Sequence, residues 1–118
     1  MKNFFLTLDF EEWYHLEYLK NKKNDFHAIN ELGNFFDLLK KHEIKITVFV
    51  LGELVQRYKS LIKKISDQGH EIAIHGWDHD LVNRKSQSLF LKEILKTKKI
   101  LEEIIGKEVI GYRSPCFS

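Results

Sequence analysis

Apolar positions along this chain recur with two different spacings, and the changes of spacing divide it into short strands and amphipathic helices. Phe4 to Asp9 is apolar nearly throughout, the pattern of a short strand covered on both faces of its sheet. Glu11 to Asp25 is polar with interspersed aromatics and reads as a loop. From Ala28 to His42 the residues Ile29, Leu32, Phe35, Phe36, Leu38 and Leu39 fall at helical spacing. Ile44 to Leu51, rich in β-branched and aromatic residues, predicts a second strand. A second helix is expected from Glu53 to about Gln68, with Leu54, Val55, Tyr58, Leu61, Ile62 and Ile65 on its apolar face and Gly69 closing it. Glu71 to Ile74 reads as a third strand. Ser86 or Ser88 can cap a long helix running to Ile105 with Gly106 just past its end, and Val109 to Tyr112 reads as a fourth strand before a loop from Arg113 to Ser118.

The order is β-α-β-α-β-α-β without linker, repeat or low-complexity stretch. Alternating β-α units of this kind predict the α/β class with parallel strands and helical crossovers: a barrel, part of one, or an open doubly wound sheet. In both architectures chemistry collects at the carboxyl ends of the strands. Asp9 and Glu11 follow the first strand, His75 and His79 the third, and Arg113 the fourth, so three strand ends offer reactive groups to one rim.

Taken singly, each cluster has an ordinary reading. Asp9-Phe10-Glu11-Glu12 is an acidic loop, His75-Gly76-Trp77-Asp78-His79 a surface loop with Trp77 packing over the barrel end, and Arg113 a rim cation. Asp9 resists that reading, because a carboxylate following a buried strand needs a partner. Taken together the groups are complementary. His75 and His79 can ligate a divalent metal, Glu11 or Glu12 can complete the set, and Asp78 or Asp80 can orient an imidazole from behind. If the chain stays extended through Glu11, Asp9 and Glu11 share one side and Glu12 takes the other. Arg113 can hold Asp9 bidentately, keeping it ionised and oriented as a general base. Such an assembly suits metal-assisted hydrolysis of an acyl bond.

Composition narrows the alternatives. The chain has 118 residues, enough for one small domain with its own core, and its 43% hydrophobic and 31% charged content is that of a globular protein. The net charge of +2 is scattered; the densest basic cluster, Lys20 to Lys23, lies in the polar loop and Lys98-Lys99 on a helix face, which argues against nucleic-acid binding. A single cysteine, Cys116, excludes an internal disulfide and a cysteine-based zinc site. The apolar start of the chain is broken at once by Asp9, Glu11 and Glu12, too early for a signal peptide, and no run approaches the ~18 apolar residues of a membrane span. The default expectation is a cytoplasmic location.

With these residues in view, the chain resembles the polysaccharide deacetylases of carbohydrate esterase family four, the NodB-homology domain, over its whole length. Leu6-Thr7-Leu8-Asp9-Phe10-Glu11-Glu12-Trp13-Tyr14-His15 is similar to the first family motif, in a D-x-E-[DE]-W variant. His75-Gly76-Trp77-Asp78-His79 resembles the second, H-x-x-x-H, and Arg113-Ser114-Pro115-Cys116-Phe117-Ser118 the third, R-x-P-x-x-S. The resemblance implies a distorted, partial (β/α) barrel and metal-dependent deacetylation of an N- or O-acetylated polysaccharide. It implies Asp9 as catalytic base, His75 and His79 as metal ligands, Arg113 as the residue orienting Asp9, and a backbone N–H near Cys116 in the oxyanion site. Of the two acids, strand geometry favours Glu11 as the third ligand over Glu12. Zinc is the expected ion, with cobalt, nickel or iron compatible.

Two departures from the family pattern carry expectations of their own. Glu stands where the family usually has Asp as ligand, and the D-x-E-E-W-x-H variant resembles a branch associated with cell-surface polysaccharides. The fourth and fifth motifs, the latter carrying the histidine that protonates the leaving amine, have no match. His15, His27, His42 and His70 precede the second motif and are not assigned that role by position; His42 and His70 read as ordinary surface histidines. The chain is therefore read as a partial domain, residues 1–118, expected to be catalytically dead or feeble alone. A four-strand piece exposes the edge of its last strand and offers a route to self-association. The competing expectations are a non-catalytic metal- or sugar-binding remnant and a plain β-α domain whose rim histidines are incidental.

Overall fold

A computed structural model describes residues 2–16 and 27–118. Most of the polar segment Glu11 to Asp25, with the basic cluster Lys20 to Lys23, lies outside the described residues. Three short strands, β1 (Thr7–Phe10), β2 (Thr47–Val50) and β3 (Glu71–Ile74), form a parallel sheet in the order β1-β2-β3. The register sets Thr7 against Thr47 and Thr47 against Glu71, and at the other end Phe10, Val50 and Ile74 stand level. Among the described residues, four α-helices accompany them: α1 (His27–Asn30), α2 (Leu32–Lys41), α3 (Lys59–Asp67) and α4 (Gln87–Ile105). Parallel strands joined by helical crossovers give the α/β class expected, in the arrangement of part of a (β/α) barrel.

Successive strand residues point to opposite faces, and the two faces here differ in kind. Phe10, Val48, Val50, Ile72 and Ile74, with Leu8 partly buried, pack with Ile29, Phe36, Leu39, Ile62, Ile65, Leu101 and Ile105 from the helices. The other face carries Thr7, Asp9, Thr47, Phe49, Glu71 and Ala73. The expectation of a β1 covered equally on both faces is thereby corrected: helices cover one face, and the acid Asp9 belongs to the other. That polar face is the one a barrel turns inward.

Helix ends follow their local chemistry. The Ser86 hydroxyl accepts from the Leu89 N–H at the start of α4, and Gly106 ends that helix at φ 73°, in the left-handed region. After α3, Gly69 (φ 90°) donates to the Ser66 carbonyl and His70 to the Ile65 carbonyl, the paired bonds of a Schellman ending. The helix expected from Glu53 begins instead as a 3₁₀ turn at Gly52–Leu54, and α-helix starts only at Lys59. The helix expected from Ala28 to His42 is divided at Glu31, whose N–H bonds the Ala28 carbonyl in a tight turn.

No fourth strand forms at Val109–Tyr112; a single parallel bridge joins Tyr112 to Ile74. The backbone of Val109 is occupied by α4 side chains, its N–H donating to Glu102 Oε1 and its carbonyl accepting from Lys98 Nζ. Ladder bonds begin only at Gly111, whose carbonyl accepts from the Ile74 N–H at 2.8 Å, and Arg113, whose N–H donates to the Ile74 carbonyl at 2.9 Å. His70, read from sequence as a surface histidine, is buried at 3% exposure and accepts the Ile46 N–H on Nδ1. Among the described residues, no helix is long and apolar enough to cross a membrane.

Two glycines make opposite demands. A Cβ on Gly52 would lie 2.4 Å from Trp77 Cε3 and 2.5 Å from Thr97 Oγ1, whereas a Cβ on Gly33, in α2, meets nothing within 4 Å. Gly52→Ala is expected to cost about 1–3 kcal/mol by overpacking. Gly33→Ala is expected to gain about 0.5 kcal/mol by restricting the unfolded chain. Urea midpoints measured on both variants check the pair.

Candidate metal centre

Because Phe10 and Ile74 end level in the sheet, the residues that follow them, Glu11 and His75, emerge side by side. Glu11 Oε2 lies 3.3 Å from His75 Nε2 and 2.9 Å from His79 Nε2. That oxygen is buried, with the two ring nitrogens as its ionisable neighbours. One donor atom from each of Glu11, His75 and His79 lies within 4.8 Å of the others. A buried carboxylate oxygen and two ring nitrogens converging on one point form a donor set suited to a divalent cation.

The His75 ring is fixed by its other nitrogen. Nδ1 donates to the Arg113 carbonyl at 2.8 Å, which leaves the Nε2 lone pair facing Glu11. His79 reaches the same point through a left-handed backbone, φ 62°, after Gly76 at φ 87°. Burial opposes ionisation of Glu11, but the His75 and His79 imidazoles outweigh it and bring the carboxyl down to about 2. Burial likewise disfavours charge on His75, yet Glu11, the Arg113 carbonyl and Asp9 raise its pKa above the ordinary imidazole value of 6.5.

Asp9 stands beside this cluster on the inner face. Its Oδ1 accepts from Arg113 Nη1 at 2.9 Å, and its Oδ2 lies 3.8 Å from His75 Nε2. The contact is through one guanidinium nitrogen, not the bidentate pair expected. Nη1 also donates to Thr7 Oγ1 at 3.0 Å, and the guanidinium carbon sits 4.1 Å from the centre of the Phe49 ring. Arg113 is thereby held over Phe49 with its charge directed at Asp9. The segment beyond it turns at Pro115–Phe117, where Cys116 adopts φ 52°.

Several residues weighed in the sequence lie elsewhere. Glu12 is turned away and 1% exposed; its carboxylate accepts the Ala28 and Ile29 N–H groups and the Tyr58 hydroxyl. It caps α1 and is not among the converging donors. Asp78 pairs with Lys85 at 2.7 Å, and Asp80 accepts the Leu81 N–H and lies 3.4 Å from Arg84, so neither aspartate orients an imidazole. The orienting group is the Arg113 carbonyl, which no side-chain pattern could have indicated. Trp77 packs on Gly52, just past the end of β2, and the Lys96 ammonium sits 3.6 Å from the centre of its ring. His15 and Glu53, unassigned from sequence, form a hydrogen-bonded pair at 2.6 Å near His79.

Part of a (β/α) barrel with an acid, a cation and an acid–imidazole cluster on one rim defines an α/β protein with a candidate metal centre. Comparison with known proteins makes the class specific: residues 30–117 match the polysaccharide deacetylase family model, and the chain belongs to that family. It is 37% identical over 79 residues to the peptidoglycan-N-acetylglucosamine deacetylase PgdA of Listeria monocytogenes, a match covering 67% of this chain and 17% of that one. It is 38% identical over 83 residues to the peptidoglycan-N-acetylmuramic acid deacetylase PdaC of Bacillus subtilis, covering 70% of this chain and 18% of the relative. The solved structure of B. subtilis PdaC superimposes with a TM-score of 0.77 at 29% identity, over 97% of this chain and 49% of that one. A family-four pseudoenzyme from Bacillus anthracis shares the fold (TM-score 0.75, 22% identity, 97% of this chain, 36% of that one). The match thus spans less than a fifth of these two curated relatives, by the 17% and 18% coverage, and about half of the solved PdaC chain.

Two predictions follow from the division between the acids. Glu12→Ala strands two backbone donors, the Ala28 and Ile29 N–H groups, and is expected to lower stability by about 2–3 kcal/mol, read from denaturant unfolding. The second concerns pH in the metal-free chain. The depressed Glu11 carboxyl stabilises the fold above 4.5 and loses that contribution as pH falls toward 2. The raised His75 stabilises fully below 6.5 and loses its contribution as pH climbs through its folded value. Thermal unfolding in chelator should therefore show this increment declining above pH 6.5, and His75→Gln should remove the decline.

Proposed function

We propose that this chain carries the metal-binding and base-bearing part of a metal-dependent deacetylase, which hydrolyses an acetyl group from an N- or O-acetylated polysaccharide. The observation behind this reading is the convergence of Glu11, His75 and His79 within 4.8 Å beside an Asp9–Arg113 pair. Glu11, His75 and His79 would hold the ion, and zinc fits two imidazoles and one carboxylate, with cobalt, nickel or iron compatible. When bound, the ion lowers the pKa of water and polarises an acyl oxygen.

Every other part of the proposal belongs to side chains of this molecule. Asp9 is the group placed to take the proton from attacking water, because it is a carboxylate adjacent to the cluster and outside it. Arg113 orients that carboxylate through Oδ1 and leaves Oδ2 directed toward the cluster. The buried His75 holds its tautomer through the Arg113 carbonyl, so one residue, Arg113, aligns both the base and a ligand. A polysaccharide substrate accords with relatives that are peptidoglycan deacetylases and, at 29% identity, a chitin deacetylase of Cryptococcus neoformans.

A second reading, metal or sugar binding without turnover, is favoured by a particular observation. Among the described residues, two imidazoles outside the triad are engaged elsewhere: His15 is bonded to Glu53, and the buried His70 accepts the Ile46 N–H. Assay of acetate release from N-acetylglucosamine oligomers, with added zinc and with this segment joined to the remaining barrel half of a relative such as PdaC, separates the two. Under the first reading Asp9→Asn lowers the rate by about 10²–10⁴-fold while zinc binding persists. Under the second, zinc binds, His75→Ala abolishes that binding, and no acetate appears in any variant.

A further inference from the structure

The triad's carboxylate and imidazoles come from two separate loops, and something must keep those loops at ligand distance. Glu11 follows β1, while His75 and His79 follow β3. A chain of four hydrogen bonds crosses between them without touching the donor atoms. The Glu12 N–H donates to His15 Nδ1 at 2.8 Å. Since Nδ1 accepts, the ring hydrogen is on Nε2, which donates to Glu53 Oε1 at 2.6 Å. The Glu53 N–H in turn donates to the Trp77 carbonyl at 2.9 Å, and the Gly52 N–H to the Gly76 carbonyl at 2.9 Å. His15 is therefore tied to the residue next to Glu11, and Glu53 and its neighbour Gly52 to Trp77 and Gly76, which lie between the two histidine ligands.

The pair is built as a rigid element. The His15 side chain is 2% exposed, its ring lies 4.2 Å from the Tyr14 ring and 6.1 Å from that of His79, and both nitrogens are engaged. With no lone pair left for a metal, His15 has no place among the ligands. A buried imidazole that spends both nitrogens on joining two loops has a mechanical use.

We propose that His15 and Glu53 are positioning residues of the metal centre, a brace that sets the separation of Glu11 from His75 and His79. The inference rests on the reading of that triad as a metal site. Groups that orient ligands from behind typically change metal affinity by about 10–100-fold when removed, and the brace should fall in that range. It acts on geometry, so its loss should also alter the ligand field of a bound ion.

Cobalt(II) titration of the purified chain, followed by its visible d–d absorption, tests this directly. Wild type should bind one equivalent with a low-symmetry spectrum. His15→Ala and Glu53→Leu should each weaken binding about 10–100-fold and shift the band at saturating cobalt, while Glu53→Gln, which keeps an acceptor for Nε2–H, should stay within about threefold of wild type. Glu53 is part-exposed, so its two variants remain informative if His15→Ala fails to fold. Wild-type affinity and spectrum in Glu53→Leu overturn the brace, even if that variant melts earlier, because lower stability with an unchanged site marks a merely structural bond. Absence of cobalt binding by wild type overturns the metal reading itself, and the brace with it.

Discussion

Three four-residue strands, paired in parallel so that Phe10, Val50 and Ile74 stand level, place the next residues of each strand at one height on one rim. Everything at the candidate centre depends on that pairing. Glu11 and His75 are neighbours because their strands end together, two positions apart in the sheet with β2 between them. The period of two then assigns Asp9 to the inner face and Phe10 to the core, so one register serves both packing and chemistry. A slip by one residue would bury Asp9 among Ile72, Val48 and the helices and expose Phe10, at a cost in desolvation far above what such short strands could offset.

Arg113 links this scaffold to the reactive groups. Its backbone continues the sheet through Ile74, its carbonyl fixes His75, and its guanidinium lies on Phe49 and reaches Asp9. A single residue thus translates the position of the last sheet segment into the orientation of both an imidazole and a carboxylate. Its replacement by lysine would keep the charge and lose the guanidinium set over Phe49.

Much of this was legible in the sequence. Strand ends, caps at Ser86, Gly69 and Gly106, and the grouping of Asp9, Glu11, His75, His79 and Arg113 follow from periodicity and from the rule that parallel sheets concentrate chemistry at their carboxyl ends. The separation of Glu11 from Glu12 was legible only as a strand alternation; the structure adds that Glu12 is consumed as a helix cap. What could not be read was backbone bonding. Val109 looked like strand because its neighbours are apolar, but Lys98 and Glu102 take its polar groups. Asp78 and Asp80 looked like imidazole partners because they are adjacent in sequence, whereas the partner of His75 is a carbonyl 38 residues away. His15 and Glu53 left no sequence signal beyond their presence near a motif, since their significance lies in a contact 38 positions long.

Gly76 and Pro115 meet closely: a Cβ on Gly76 would stand 3.3 Å from Pro115 Cγ, on a backbone at φ 87° that already disfavours side chains. The histidine loop and the arginine–proline loop are thus fitted to each other as surfaces, in addition to the bonds at Ile74, Gly111 and Arg113. For anyone transplanting this centre onto another scaffold, the transferable module is the two loops together. Either one moved alone would arrive without the wall against which it was shaped.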